Sequence, residues 1–300
     1  MGARSSMVRS TESNKLTWRG NVSPASFHCA QWRLPSSKRK CYKAVSNSSR
    51  GQKRTMTTSQ KYANAPITEA IIALGIAPLV SINVLDSVAL QCAVEYPKRE
   101  RIFQAVGKFE VQPDGDASAT AKQDHTGFKL SSEDGRFILQ LQVTGFSLSR
   151  LSPYVGWESF LAEARRLWKI YKDTAGFGAV NRQAVRYINR IDIPGEEAEM
   201  SRYFRTSPNL SPDIRNPLES FFMQLRVPQP DISATAIINQ ATITPSRESV
   251  VSVVLDIDLF QTENLPSDED GIWTSFETLR VRKNSIFEAC ITDDSRRLFQ

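Results

Sequence analysis

The sequence predicts an α+β protein built from antiparallel sheets, each covered on one face by a long helix. Three observations lead there. Phe137, Leu139, Leu141 and Val143 alternate with polar neighbours, which is the period of a half-buried antiparallel strand. Trp157, Phe160, Leu161, Ala164, Leu167, Trp168 and Tyr171 fall at steps of 3, 1, 3, 3, 1 and 3, one continuous helical stripe. The order of elements also recurs: strand, helix, four strands and a long helix are followed by strand, helix, three strands and a long helix.

Along the chain, Ile67–Ile76 reads as a strand opened by Asn64-Ala65-Pro66 and ended by Pro78. Ile82–Tyr96 reads as a helix closed by Pro97. Strands follow at Phe103–Gln112, Thr126–Ser131, Arg136–Val143 and Phe146–Leu151, and Asp134-Gly135 gives a hairpin signal between the second and third of them. The helix 157–174 is stopped by Gly176 and Gly178. Asn181–Ile193 is a long strand ended by Pro194-Gly195, Glu196–Phe204 a short helix, and Ser207–Pro217 a Pro-rich connector. Strands at Phe221–Val227, Ser233–Thr244 and Ser249–Leu259 precede a last helix at about Asp268–Cys290. The expected organisation is therefore a tail over 1–55, a first sheet-and-helix unit over 56–180 and a second over 181–300. Two repeated units could join edge to edge into one curved sheet, in shape like the saddle of TATA-binding-protein-like or helix-grip folds; that analogy carries no function.

Composition removes several classes. With 40% hydrophobic and 23% charged residues, the chain is not collagen-like, wholly disordered or a disulfide scaffold. The net charge of +6 belongs to the first 55 residues, which hold 12 Lys and Arg against one acid, Glu12; residues 56–300 hold 26 basic and 31 acidic groups. The body is mildly acidic and suggests no nucleic acid. The tail holds 11 Ser and shows no periodicity, so it is expected to be disordered. It could be a targeting segment, a nucleic-acid-binding tail centred on Lys38, Arg39 and Lys40, or upstream sequence read from an early start codon, with Met56 as the normal start. The last reading fits best. Cys92 and Cys290 sit in apolar helical patterns, and there is no CxxC, so a reducing, cytoplasmic setting is expected. His28 and His125 are the only histidines, which excludes a His/Cys zinc site. No cofactor motif, metal motif or membrane span is present, and His125, in a loop beside Asp124, reads as a solvated surface pair.

The informative residues lie on strand faces. In 181–193, Arg182, Arg186 and Arg190 share one face with Asp192; in 249–259, Val251, Val253, Leu255, Ile257 and Leu259 form an apolar face and Asp256 and Asp258 the opposite one. Glu69 adds an acid to the first strand, and Gln224 and Arg226 add polar groups to 221–227. The simplest reading is that these arginines and acids pair across strands and cover an open sheet face. The functional alternative is a ligand-binding surface of Glu69, Arg186, Arg190, Arg226, Asp256 and Asp258, with arginines gripping an anion or acids holding a hard cation. Lys283 falls inside the apolar stripe of the last helix, where a lysine is expected to snorkel, with an acid such as Asp256 as a conceivable partner.

Several longer motifs stand out: Asn64-x-Pro66-Ile67-x-Glu69-Ala70; Phe146-x-x-Ser149-Arg150-Leu151-x-Pro153-Tyr154-x-Gly156-Trp157-Glu158-x-Phe160; Val185-Arg186-Tyr187-x-Asn189-Arg190-Ile191-x-Ile193-Pro194; Leu255-Asp256-Ile257-Asp258; and Lys283-Asn284-x-x-Phe287-Glu288-x-x-Ile291-Thr292-Asp293. Together, from about Tyr62 to Phe299, they resemble a sporadically distributed family of bacterial proteins that has no assigned activity. The resemblance implies a bacterial, cytoplasmic protein, carries over no catalytic or binding residues, and leaves 1–55 outside the match. The expected function is a non-enzymatic binding or interaction module using an open sheet face or sheet edge, with a protein partner or an anionic small ligand. The alternatives are an enzyme acting on an anionic substrate through strand carboxylates and arginines, and nucleic-acid binding through the basic tail.

Overall fold

The structure is a computed structural model and describes residues 15–20, 62–111, 117–176, 178–211, 213–214 and 218–300. The described residues fall into two compact units, one of 15–20 with 102–111 and 117–126, and one of 62–101 with the described residues from 127 to 300.

In the first unit, strand β1 (Lys15–Gly20) pairs antiparallel with residues 105–110 of a strand that begins in the second unit. The rest of the predicted tail over 1–55 lies outside the described residues. These six are extended where the sequence shows no periodicity; their place rests on backbone pairing. His125 is on a strand rather than in a loop, its ring 5.3 Å from that of Phe103.

The second unit is an antiparallel sheet with helices on one face. Its elements are β2 (Ile67–Ala77), α1 (Ile82–Gln91), the start of β3 (Lys98–Val111), the end of β4 (Ala117–Ser131), β5 (Phe137–Gln142), β6 (Gly145–Leu151), α2 (Trp157–Ala175), β7 (Ala179–Pro194), α3 (Met200–Tyr203), β8 (Phe222–Gln229), β9 (Ala234–Ile243), β10 (Val250–Gln261), α4 (Glu269–Cys290) and α5 (Asp293–Arg297). From β4 onward the strand order is β4-β5-β6-β2-β7-β10-β9-β8. The first strands of the two expected halves, β2 and β7, therefore pair with each other at the middle, Ile72 opposite Val185. On either side the last strand of each half lies next to the first: β6 beside β2, and β10 beside β7. Gly145 makes one such close approach possible, because a Cβ there would stand 2.2 Å from the Leu74 carbonyl oxygen.

One face is sealed. Ile72, Leu74, Leu148, Val185, Tyr187, Leu255, Ile257 and Leu259 are buried on it. α2 lies there with Trp168 edge-on to Phe146, ring centroids 5.7 Å apart, and stacked on Tyr171 at 5.5 Å. α4 lies beside α2 on the same face; Lys172 meets Glu269 at 2.7 Å, and the Trp157 indole N–H donates to Glu277. No helix among the described residues is long and apolar enough to cross a membrane.

The expected elements form, with differences at their ends. The helix predicted over 82–96 stops at Gln91, where Cys92 caps it; residues 92–95 continue as turns that leave Val94 exposed while Tyr96 is buried. The helix predicted over 196–204 shrinks to α3, a single turn, whose start has no side-chain cap. The strand predicted from Thr126 begins at Ala117, and α5, capped by the Thr292 hydroxyl, has no counterpart in the sequence reading.

Candidate functional site

The face opposite the helices carries the residues singled out from strand alternation. On β7, Arg182, Arg186, Arg190 and Asp192 point away from the side that buries Val185 and Tyr187. The register places Asp258 opposite Arg186 and Asp256 opposite Ile188, one step along the strand. The Arg186 ion pair runs on that diagonal. Arg186 donates through Nε to Asp256 Oδ1 at 2.8 Å and through a terminal nitrogen to Oδ2 at 2.7 Å, a bidentate fork. Arg182 reaches Asp258 at 3.2 Å. Arg190 turns to its own strand, donating to Asp192 at 3.0 Å, to the Ser252 hydroxyl at 2.9 Å and to the Thr244 carbonyl at 2.9 Å.

A polar row extends across four strands. Gln224 on β8 donates to Asn239 on β9 at 2.8 Å, and Asn239 donates to Asp256 Oδ2 at 2.9 Å. Asp256 thus accepts three hydrogen bonds with its side chain 7% exposed. Burial pulls the Arg186 guanidinium down, but the hydrogen bonds and charge of Asp256 outweigh it, and its pKa rises. Burial raises the Asp258 carboxyl against the pull of Arg182 and Arg186. Burial would also raise Asp192, but donors from Ser246, Ser252 and Arg190 win and lower it.

Of the six residues named from sequence, Arg186 and Asp256 meet each other. Asp258 meets Arg182, and Arg190 meets Asp192. Glu69 is half-buried, acts on Arg186 through space and forms no ion pair among the described residues. Arg226 lies 5.6 Å from the centre of the Phe260 ring, which Arg182 also overlies at 4.8 Å. Between these charges Ile71, Ile188, Ile237, Val254 and Phe260 are half-exposed, and Phe222 at the β8 edge is 63% exposed. Among the described residues no group of three or more His, Cys, Asp and Glu could hold a metal ion.

Lys283 departs from expectation. It neither snorkels nor meets Asp256, which is on the other side of the sheet. It is 5% exposed, with Nζ 3.3 Å from the centre of the Tyr187 ring. Burial draws its amine down to about 7; Arg280 adds to the shift and Glu288 opposes it. Next to it the Tyr154 and Tyr187 hydroxyls share a hydrogen bond of 2.8 Å. Sequence reasoning missed this polar set, although Lys283 within an apolar stripe and Tyr187 on an apolar strand face were its signals.

No protein-family model matches the chain, and neither does any curated protein.

Proposed function

We propose that the protein is a non-enzymatic interaction module whose open sheet face, bounded by β8, binds another protein. The observation that carries this is the pairing of the face: each arginine of β7 is matched by an aspartate. The surface is therefore close to neutral, and apolar side chains remain half-exposed between the pairs with no helix over them among the described residues. Such a patch, apolar with satisfied polar groups, is the composition of a protein-binding surface. The same pairing argues against the enzymatic alternative. Asp256 is held on both oxygens by Arg186 and Asn239, and Asp258 is paired with Arg182.

The strand order supports an internal duplication. Each half reads first strand, last strand, then outward in reverse, and the two meet at β2 and β7. This order is what two repeated units joined edge to edge would give. The buried thiols of Cys92 and Cys290 suit a reducing cytoplasm.

The test is a partner's dependence on the face. Ile188→Glu with Ile237→Glu should abolish co-purification of a partner that the native chain retains, with melting unchanged. Lys169→Glu, on the exposed side of α2, should not. A partner lost with Lys169→Glu and kept by the sheet-face variant would overturn the proposal.

A further inference from the structure

A second site is built where β6 runs into α2, on the helix side of the sheet and away from the open face. β6 places Phe146, Leu148 and Arg150 on the core side, so Arg150 stands where alternation calls for an apolar residue. Its side chain is buried, the residue being 8% exposed. It forms no ion pair among the described residues. Its polar contact is one long hydrogen bond, 3.5 Å, to the Pro153 carbonyl, and its guanidinium stacks 4.6 Å from the centre of the Phe137 ring. Its other guanidinium nitrogens are not sealed among unpartnered buried atoms, so they are accessible to an anion entering the pocket that Arg150 lines.

The geometry around Arg150 supplies the rest of an anion site. Arg150 lines a pocket of about 290 Å3 together with Phe137, Val155, Gly156, Ser159, Phe160 and Glu163. Gly156 is the residue before α2, has φ 154, and offers no side-chain cap, so the N–H groups of the first turn of this 19-residue helix open beside the pocket. Ser159 in that turn is exposed. The carboxylate in the wall is already committed: Glu163 accepts from Arg166 at 2.9 and 2.8 Å and from the Tyr96 hydroxyl at 2.8 Å. Glu158 stands at the same helix start, its carboxylate 3.6 Å from where a Cβ on Gly156 would be. Arg150 also acts through space on Asp134, so this one cation faces three acids, Asp134, Glu158 and Glu163, which disfavours a phosphate dianion more than a single negative charge, and Phe137, Val155 and Phe160 give the pocket apolar walls.

We propose that this pocket binds a small monocarboxylic acid, its carboxylate on Arg150 and the first N–H groups of α2 and its apolar body against Phe137, Val155 and Phe160. This segment is also the longest of the sequence motifs, Phe146 to Phe160, and the open-face reading makes no use of it. The site is independent of that reading.

The experiment titrates the full chain with benzoate and with inorganic phosphate, following tryptophan fluorescence and melting temperature. Benzoate should bind and raise the melting temperature, and phosphate should do neither. Val155→Asp changes an exposed side chain and sets a carboxylate against the incoming anion; it should weaken benzoate binding about tenfold or more with melting of the free protein unchanged. Arg150→Gln should abolish binding, and Arg190→Met on the opposite face should leave it intact. If Arg150→Gln does not fold, Val155→Asp decides. No benzoate binding by the native chain, or equal binding by Val155→Asp, would overturn the site. Phosphate bound as tightly as benzoate and lost in Val155→Asp would overturn the monocarboxylate assignment.

Discussion

Arg186 and Asp256 are a pair with unequal partners. The arginine side chain is 28% exposed and the aspartate 7%. Removing the aspartate leaves a guanidinium that water can still reach; removing the arginine leaves a carboxylate with only Asn239 to donate to it. Arg186→Met should therefore cost more than Asp256→Asn, about 2–3 kcal/mol against about 1 kcal/mol, with coupling of about 1 kcal/mol or more in a double-mutant cycle read by urea unfolding. Equal costs that add without coupling would show that the pair does not act as one. Lys283 gives a second prediction, in pH. Its folded pKa of about 7 is depressed, so between pH 7 and its unfolded value near 10 the unfolded chain holds a proton that the folded chain lacks. Stability attributable to this group rises with pH across that window by at most about 1.4 kcal/mol per unit. The thiols of Cys92 and Cys290, raised by burial from 9.0 to about 11, act in the opposite sense above pH 9, so pH 7 to 8.5 is the clear interval. Lys283→Met should be more stable than the native chain at pH 7, and its advantage should shrink by pH 8.5. A constant difference between the two proteins would mean that the amine does not titrate there. Lys283 and Arg150 share a lesson about the sequence. Each is a basic residue at a position where periodicity demands an apolar one, and that breach is visible without coordinates. What surrounds the breach is not: the Tyr187 ring lies 96 positions from Lys283, and only the sheet register and the helix over it bring them together.

At the scale of elements, periodicity was informative where one face is fully sealed. α2 was legible because six of the seven residues of its stripe are buried, Leu161 being half-buried, and Gly176 adopts the left-handed conformation that ends it, φ 59. β7 and β10 were legible because alternation separates Arg182, Arg186 and Arg190 from Val185 and Tyr187, and Asp256 and Asp258 from Leu255 and Ile257. Which arginine meets which acid was not, since pairing depends on register between strands about 70 residues apart. α1 was overread for a local reason: apolar spacing continues past Gln91 to Tyr96 and invites a longer helix, yet Tyr96 is buried after a run of turns, not from a helical face. The sealed face of α2 makes a direct prediction. Trp168 is 1% exposed, between Phe146 and Tyr171, so Trp168→Ala should cost about 3–5 kcal/mol in chemical denaturation. A loss under about 1 kcal/mol would mean that the cavity closes by collapse of α2 onto β6.

At the scale of the molecule, the placement of β2 and β7 decides how the second unit unfolds. β2 is hydrogen-bonded on one edge to β6 and on the other to β7, and β7 in turn to β10. Melting residues up to 180 would strip β7 of a neighbour and expose Val185 and Tyr187; melting the residues after it would do the same to Ile72 and Ala70, all buried now. The helices add a second tie, since Lys172 and Trp157 of α2 reach Glu269 and Glu277 of α4. Neither half keeps its core without the other, so the sheet should unfold in one cooperative step despite the repeated order of its elements. Two single-tryptophan proteins would read this, one keeping Trp168 in the first half and one keeping Trp273 in the second, with the remaining tryptophans changed to Phe. Once each is corrected for the stability change of its own substitutions, measured by circular dichroism, fluorescence and circular dichroism should give one midpoint in each protein, agreeing within about 0.2 M urea. A Trp168 transition separated from the Trp273 transition by more than about 0.5 M, with circular dichroism splitting into two steps at the same concentrations, would show that the β2–β7 ladder joins two independently stable sheets.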